Sequence, residues 1–452
     1  MSESVRKENK MGVMPIPKLL ITMSLPMIAS MLVQALYNIV DSMFVAQLNE
    51  DALTAVSLAF PVQNLMIAVA AGTGVGVNAL LSKSLGEHKY DTANKIAQNG
   101  IFLAILSFLA FAILGAIGSR FFFEVQTKDT QIIEYGTEYM SVITIASIGI
   151  FLQITFERLM QSTGKTIFNM ITQGTGAIIN IIMDPILIFG WFGFPAMGVT
   201  GAAVATVIGQ IVAALMGIFF NQKFNKEIHV TPKNFKPDKE TIGSIYKIGV
   251  PSIIMQSIGS LTTFGMNNIL LMFSSTAATV FGVYFKLQSF IFMPVFGLTN
   301  GMIPIVAFNY GARNKKRIYQ TIKLGVGIAV GIMLAGLAVF QLVPQTLLRL
   351  FDASENMLAI GVPALRTISL SFVFAGFCIV ASSVFQALGN GVYSLIMSAA
   401  RQIVVILPVA FIFAKLFGLD AVWYAYPIAE IVSVAICAVL LHKIINQKVK
   451  NL

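Results

Sequence analysis

Charged residues are scarce in this sequence. They make up 11% of its 452 residues, whereas 56% are hydrophobic and the mean hydropathy is +0.81. About a quarter of the residues of soluble globular proteins are charged. This scarcity excludes the soluble globular class and indicates a polytopic membrane protein.

Cysteine and histidine are also rare. Cys378 and Cys437 are the two cysteines, and both lie in apolar runs, which supports neither a disulfide framework nor a metal cluster. Three histidines without an HExxH motif give no support to hydrolytic metal chemistry. The Gly72-Thr-Gly-Val-Gly76 run lacks the Lys-Ser/Thr ending of a phosphate-binding loop. We therefore expect no enzymatic activity and no resident cofactor, with energy taken from an ion gradient or from the substrate's own gradient.

Long stretches without charge define the predicted spans. A membrane helix needs about 20 apolar residues, and several uncharged stretches are long enough: 52–82, 96–119, 248–285, 324–348 and 367–400. Dividing the long stretches at Gly, Pro and Asn breaks such as 190–195 gives twelve helices, six in each half. The sequence thus predicts an all-α integral membrane protein of twelve transmembrane helices in two six-helix lobes.

The two halves are related by an internal duplication. Residues match at an ungapped offset of 225 positions: Pro26 with Pro251, Gly72 with Gly297, Gly76 with Gly301, Gly86 with Gly311, Gly136 with Gly361, Gln161 with Gln386 and Gly164 with Gly389. An even number of helices returns the chain to its starting side, so the repeats are predicted to be parallel. We place an N-terminal lobe at 1–222, a cytoplasmic linker at 223–242 and a C-terminal lobe at 243–452.

Basic residues flank the same predicted ends of the helices. The opposite loops contain only Arg120, Lys128, Arg349 and Lys415. Basic loops stay in the cytoplasm, so both termini should be cytoplasmic and the protein should cross the plasma membrane many times. The polar first residues lack a cleavage site, which indicates that helix 1 is retained. The net charge of +10 then reflects topology and attraction to membrane lipid, rather than nucleic-acid binding.

Two acids lie deep in predicted helices of the first half. Asp41 and Asp184 are each the only charge in their span, and an ionised carboxylate at a helix centre costs about 2.5–3.5 kcal/mol on insertion scales. Tyr37, Asn38 and Asp41 share one helix face, as do Asn180 and Asp184. Pro185 removes a backbone donor beside the acid. These residues are the candidates for binding the proton or cation that is coupled to transport.

Two carboxylates in one poorly solvated place cannot both ionise cheaply. Either a proton or a cation would neutralise them, and Na⁺ accepts the oxygens of Asp41, Asn180 and Asp184. Thr200 and Thr206 of helix 6 are candidates to add hydroxyls. The alternative is a buried, fully paired structural network. Met266 takes the place of Asp41 in the second half, so coupling should reside in the N-terminal lobe.

Lys286 and Glu430 are the remaining charges inside helices of the second half. One interpretation pairs them to stabilise the C-terminal lobe, and the other places one or both in the substrate cavity with Gln34, Tyr37 and Asn38. We interpret other charges as anchors at helix ends or in loops: Glu157, Arg158 and Arg401. The chain also has 35 Phe and 22 Met, side chains that suit varied lipophilic cations.

Several motifs together resemble the multidrug and toxic compound extrusion (MATE) family, most closely its MepA-like and DinF-like members. They are Leu25-Pro26, Gln34-Ala-Leu-Tyr-Asn-Ile-Val-Asp41, Glu157-Arg158-Leu-Met-Gln161-Ser-Thr-Gly164-Lys165, Asn180-Ile-Ile-Met-Asp184-Pro185, Gly198-Val-Thr-Gly201-Ala-Ala-Val-Ala-Thr206 and Phe385-Gln386-Ala-Leu-Gly389. The resemblance covers nearly the whole chain.

The resemblance implies a two-lobe antiporter that exports lipophilic or cationic compounds in exchange for H⁺ or Na⁺, with an acidic site at Asp41, Asn180 and Asp184. A second family pattern has acids in helices 7 and 10, and this chain has none there. The alternative is a flippase for lipid-linked oligosaccharides or lipids, which should have a more basic cavity. A gated channel is less suited to two parallel lobes, and we expect the carrier to act as a monomer.

Overall fold

The chain folds into long helices. The computed structural model describes residues 8–231 and 235–452. The first-half helices are α1 Ile16–Ala46, α2 Glu50–Gly86, α3 Tyr90–Gln126, the bent pair α4 (Thr130–Ile145 and Ile148–Ser162), α5 Ile167–Phe189 and α6 Gly198–Phe224. The second-half helices are α7 Lys239–Leu271, α8 Ser275–Gly311, α9 Lys315–Leu342, the bent pair α10 (Glu355–Ser369 and Phe372–Ala387), α11 Gly391–Leu416 and α12 Leu419–Val449. Short helices lie at Lys10–Val13 and Pro344–Arg349, and α11 contains a π-helical segment, Ala400–Ile406.

The number of spans agrees with the sequence. Across the described ranges, nine single helices are long and apolar enough to cross a membrane, and the pairs α4 and α10, bent by 44° and 49°, add two spans. The remaining helix, α7, has 33 residues and corresponds to α1 in the repeat. The predicted twelve-helix fold is confirmed.

The duplication is visible in the backbone. Helices α2 and α8 both have 37 residues and begin 225 positions apart. The turns that follow them contain left-handed residues at equivalent positions, His88 (φ 59°) and Arg313 (φ 54°). Gly164 (φ 88°) and Gly389 (φ 76°) repeat the same relation after the two bent pairs. The two halves therefore share one helix-and-turn pattern.

Two helices pass from one compact unit to the other. One unit contains Ala29–Gly249, and the other contains the described part of Met1–Ile28 together with Val250–Leu452. The crossings fall within α1 and α7, close to the equivalent prolines Pro26 and Pro251. Each half thus begins its first helix in the unit of the other half. The chain boundaries at 222 and 243 remain a prediction, because the units defined by contacts divide the chain inside helices.

The described part of the 223–242 linker lies against α3. The Asn94 side chain accepts a hydrogen bond from the His229 backbone N–H at 2.7 Å, and Asn99 accepts one from the Asp238 backbone N–H at 3.0 Å. Hydrogen bonds from the Thr241 hydroxyl and backbone N–H hold the pKa of the exposed Asp238 carboxyl below its ordinary value. Residues 232–234 of the linker lie outside the described ranges. The described residues of the linker belong to the unit Ala29–Gly249 and pack against its α3 helix.

A guanidinium holds the segment before α1 within the unit that also contains Val250–Leu452. Arg317, at the start of α9, donates through Nη2 to the carbonyl oxygens of Met11 (2.9 Å) and Met14 (2.7 Å). Its Nε donates to Asn309 Oδ1 at 3.0 Å, and Asn309 Nδ2 donates to the Met11 carbonyl at 3.0 Å. Met11 and Asn309 are fully buried. We call this group the arm bracket.

Replacing Arg317 should loosen the arm bracket. Hydrogen bonds from charged donors contribute about 1.5–3 kcal/mol each, and partial exposure lowers this value, so Arg317→Ala should reduce stability by about 3 kcal/mol. Faster hydrogen exchange at the Met11 and Met14 amides would report the loss. Lys316→Ala, at an exposed neighbouring position, is the control and should leave these amides protected. Equal exchange in both variants would show that Arg317 does not hold the segment.

Candidate functional site

Asp184 and Asn180 lie on the buried face of α5. Asp184 has no exposed surface, and Asn180 is 2% exposed. They are four residues apart, so one turn of helix brings them together on one face. Pro185 lies inside the same helix. Because proline lacks an N–H, the carbonyl oxygen one turn earlier has no helical donor at that position, which adds an acceptor near the acid.

Asp41 of α1 meets Asp184 within the first unit. The two carboxyl groups are within hydrogen-bonding reach of each other. Asp41 is half-buried, and its Oδ1 atom is buried without a hydrogen-bond partner among the described residues. The structure therefore brings together the two acids that the sequence singled out, and it leaves one carboxylate oxygen available for a ligand.

Asn180 connects this acid pair to α6. We assign its amide nitrogen toward Asp184, because an ionised carboxylate can only accept hydrogen bonds. In this orientation Asn180 donates to Asp184 Oδ2 at 3.2 Å and accepts from the Thr206 hydroxyl at 3.2 Å. Thr206 is 5% exposed. The oxygens of Asp41, Asp184, Asn180 and Thr206 thus form one continuous cluster, which we call the acid cluster.

Thr200 lies elsewhere. Its hydroxyl donates to Glu138 Oε2 at 2.7 Å in an exposed setting near the start of α6. It precedes Thr206 by six residues, which places it about 9 Å away along the helix axis. The structure therefore joins Thr206, and not Thr200, to Asn180.

Glycines allow α5 and α6 to approach closely enough for the Asn180–Thr206 contact. A Cβ atom on Gly209 would lie 2.6 Å from the Gly176 carbonyl oxygen, and its next contact would be the Asn180 Cβ at 3.5 Å. A Cβ on Gly201 would lie 2.6 Å from the Leu187 carbonyl. Small residues at helix contacts let backbones approach in membranes. The acid cluster therefore depends on backbone-to-backbone packing.

Two aromatic hydroxyls accompany the acids. Tyr37, one turn before Asp41 on α1, interacts electrostatically with both acids. Tyr139 of α4 is 2% exposed, interacts with the same two acids, and accepts a hydrogen bond from Gln63 Nε2 at 3.3 Å. Sequence reasoning missed Tyr139 and Gln63, because no local spacing relates α2 or α4 to α1.

The other cavity candidates on α1 follow the same helix face. Gln34 is half-buried and Asn38 is exposed. Both lie within two turns of Asp41, so the face that carries the acid continues with amide groups toward the middle of α1. Their contact with substrate remains a prediction.

The acid cluster can bind one positive species. Two carboxyl groups in contact repel each other when both are ionised, and one proton or one monovalent cation between them relieves this repulsion. The electrostatic partners of the two acids, in the ranges described, are tyrosines and each other, with no lysine or arginine among them. No group of three or more His, Cys, Asp and Glu side chains in those ranges could hold a metal ion. Carboxylate, amide and hydroxyl oxygens fit a proton or Na⁺.

Glu157 differs from its interpretation as an anchor at a helix end. It is 5% exposed and lies inside the second segment of α4. Both of its carboxylate oxygens accept hydrogen bonds: from Gln153 and Thr172 at 3.1 Å each and from Gln173 at 2.8 Å. Arg158 donates to Gln161 Oε1 at 2.7 Å. Glu157 is thus a buried acid with a complete set of donors.

The Lys286–Glu430 pair proposed from the sequence is wrong. Glu430 pairs with Arg401 at 2.9 Å, whereas Lys286 is exposed and its Nζ lies 5.9 Å from the centroid of the Phe351 ring. Similar predicted depth alone suggested the pair. Arg401 is therefore not an end anchor, because it lies ten residues inside α11.

Twelve membrane helices in two repeats, with a pair of acids in one unit that has no basic partner among the described residues, are typical of polytopic membrane transporters. The family described as MatE matches residues 26–186 and 251–412, more than half of the chain. The two matches begin 225 positions apart, at the offset of the internal repeat. The chain belongs to the MatE family, which confirms the resemblance seen in the motifs.

Curated relatives and solved structures agree with this assignment. The chain is 27% identical to "Multidrug export protein MepA" of Staphylococcus haemolyticus (strain JCSC1435), over 95% of this chain and 94% of the relative. It is 29% identical to the protein of the same name from Staphylococcus aureus (strain MSSA476), over 92% and 91%. A structure described as the outward-facing conformation of a multidrug resistance MATE family transporter of the MOP superfamily has a TM-score of 0.90 at 25% identity, covering 99% of both chains.

A further neighbour carries a different description. It is a MOP superfamily transporter from Pyrococcus furiosus Vc1 (DSM3638), for which a reverse polarity of the binding pocket is said to suggest a different function. Its TM-score is 0.91 at 25% identity, covering 98% of this chain and 99% of that one. The same fold therefore accompanies more than one described function. The residues of the site, rather than the fold, have to distinguish between these functions.

Proposed function

We propose that this chain is a secondary active multidrug efflux carrier that exports lipophilic and cationic compounds in exchange for H⁺ or Na⁺. The observation that carries the proposal is the contact between Asp41 and Asp184, together with the unpartnered Asp41 Oδ1. This arrangement favours binding of one positive species at a time. The names of the relatives support export as the activity and drugs as the class of cargo.

Alternating access follows from competition for the acid cluster. A proton or Na⁺ arriving from outside neutralises the pair, changes the preferred bend of α1 and releases the cargo outward. Release of that ion into the cytoplasm restores the negative charge of the acid cluster, which can then attract a new cargo cation. The carrier is proposed to act as a monomer in the cell membrane with both termini in the cytoplasm, without a nucleic-acid partner or a resident cofactor.

A flippase is the second candidate. Lipid-linked oligosaccharides carry a pyrophosphate, which requires basic side chains in the cavity. The described partners of Asp41 and Asp184 include no basic residue, which favours cationic cargo.

Sealed vesicles distinguish these proposals. With an imposed H⁺ or Na⁺ gradient, a fluorescent lipophilic cation should move against its own gradient, and collapse of the ion gradient should stop it. Failure of the cation to move under either gradient would exclude the antiport proposal and favour the flippase.

The two threonines of α6 give a matched pair of variants. Thr206→Val removes the hydroxyl that Asn180 accepts from, so gradient-driven transport should fall by roughly tenfold, within the usual range of coupling between sites. Thr200→Val removes a hydrogen bond to Glu138 only, and transport should stay within about twofold of the wild type. Initial rates in the same vesicles measure both. An equal loss of transport in the two variants would show that the Thr206 hydroxyl has no specific role in the acid cluster.

A further inference from the structure

A buried carboxylate also lies in the other unit, and its ion pair is incomplete. Glu430 of α12 accepts one hydrogen bond from Arg401 Nη1 at 2.9 Å. The Glu430 side chain is 9% exposed, and the Arg401 side chain is 22% exposed. Glu430 Oε2 and Arg401 Nε are both buried without hydrogen-bond partners in the ranges described. An arginine–carboxylate pair that served stability alone would gain from two parallel hydrogen bonds.

The contrast with Glu157 shows that the incomplete pair is not general in this chain. Glu157 is similarly buried, yet both of its oxygens accept hydrogen bonds from neutral side chains. An unsatisfied buried donor or acceptor costs about 1–3 kcal/mol. Arg401 retains one such donor, and Glu430 retains one such acceptor. The Cys378 thiol is a further, weak donor beside Glu430.

A group of three aromatic rings lies close to the pair. Tyr426 lies one turn before Glu430 on the same face of α12. Its ring centroid is 6.1 Å from that of Tyr284 and 6.3 Å from that of Phe281, both of α8. Tyr284 interacts electrostatically with both Glu430 and Arg401. A buried carboxylate close to tyrosine and phenylalanine rings combines the two kinds of group that attract organic cations.

The backbone that carries Arg401 is irregular. Residues Ala400–Ile406 form a π-helical segment inside α11. Such segments shift the helix register by one residue and are frequent at functional sites. Arg401 is also the more exposed member of the pair. Its long side chain can move toward its exposed side while Glu430 remains buried.

We propose that Glu430, Tyr426 and Tyr284 form a second subsite for organic cations, and that the Arg401 guanidinium is a tethered resident cation that exported cations displace. This inference rests on the proposed export of cationic compounds. An incoming monocation takes the place of the guanidinium at the carboxylate, so the charge of the subsite is conserved. Arg401 keeps its own charge and moves to its exposed side.

Chemical rescue tests the proposal on the purified full chain. Arg401→Ala removes the tethered cation and leaves space for a free one, so n-butylguanidinium should bind this variant at least tenfold more tightly than the wild type. Binding to the native state alone raises the thermal midpoint of unfolding, which serves as the readout. In the Arg401→Ala/Glu430→Gln double variant the gain should disappear. n-Butylurea, a neutral analogue of similar shape, should give no shift in any variant.

Two outcomes would overturn the subsite. One is an equal shift by n-butylguanidinium in the wild type, the single variant and the double variant. The other is an absence of any shift in a folded Arg401→Ala protein. Should that variant fail to fold without ligand, Arg401→Gln, which keeps a neutral donor for Glu430, replaces it; a smaller gain over the wild type is then expected, and Glu430→Gln should again remove it.

The result is independent of ion coupling. Asp184→Asn should leave the rescue of Arg401→Ala intact, because the two acids belong to different units. Rescue without gradient-driven transport would therefore support the subsite while contradicting the antiport proposal. Gradient-driven transport without rescue would support the antiport proposal and contradict the subsite.

Discussion

Asp184→Asn should abolish gradient-driven export of lipophilic cations. The amide has nearly the shape of the carboxyl group, but it cannot exchange a proton and binds Na⁺ weakly. Asp41 would then lose the partner whose charge makes the pair require a positive species. We expect the initial rate in sealed vesicles to fall by roughly a hundredfold, near the upper range of coupling between two sites.

The matched control is Asp91→Asn. Asp91 is exposed in the first turn of α3, so its variant loses the same charge far from the acid cluster. Its transport should stay within about twofold of the wild type. Equal transport by the Asp184→Asn variant and the wild type would remove the coupling role from Asp184.

Gly209→Ala should disable the carrier through packing. The added methyl group would lie 2.6 Å from the Gly176 carbonyl oxygen, which belongs to the backbone of α5 and cannot rotate away. Overpacking of this kind costs about 1–3 kcal/mol, and it forces α5 and α6 apart at the contact between Asn180 and Thr206. We expect a lower thermal midpoint and a loss of transport of at least about tenfold.

Gly174→Ala provides the control on α5. Beyond its chain neighbours and the adjacent backbone of α5, no atom of the described residues lies within 4 Å of a Cβ atom placed there. Alanine favours helix over glycine by about 1 kcal/mol, so this variant should be as stable as the wild type or slightly more stable, with normal transport. If the Gly209→Ala protein matched it in both stability and transport, close approach of α5 and α6 would not be needed for the site.

Local spacing was sufficient to find most of the acid cluster. Asp41 and Asp184 are conspicuous because charge is scarce in their helices, and the four-residue spacing from Asn180 to Asp184 specifies a shared face. The uncharged stretches, divided at Gly, Pro and Asn breaks, likewise predicted the twelve helices, and the 225-residue offset predicted the duplication. These features depend on residues that are near in sequence or on patterns that repeat.

Features that depend on how helices pack were not accessible in the same way. Thr206 and Thr200 are equivalent as sequence, and only the glycine contact between α5 and α6 selects Thr206. Tyr139 reaches the acids from α4, with no sequence signal to distinguish it from other span tyrosines.

The misassignment of Arg401 has a different cause. The uncharged stretch 367–400 ends just before Arg401, so this arginine was interpreted as the end of a span. Its actual partner, Glu430, became apparent only once α11 was seen to begin at Gly391.

Counter-ion movement driven by cargo alone tests the central claim most directly. Vesicles containing the carrier would receive a lipophilic cation gradient with no initial H⁺ or Na⁺ gradient, and internal dyes would report both ions. Because coupling is reciprocal, cation flux in one direction should drive H⁺ or Na⁺ in the other, and Asp184→Asn should eliminate this counterflow. Cation flux in the wild type without movement of either ion would contradict antiport at Asp41 and Asp184.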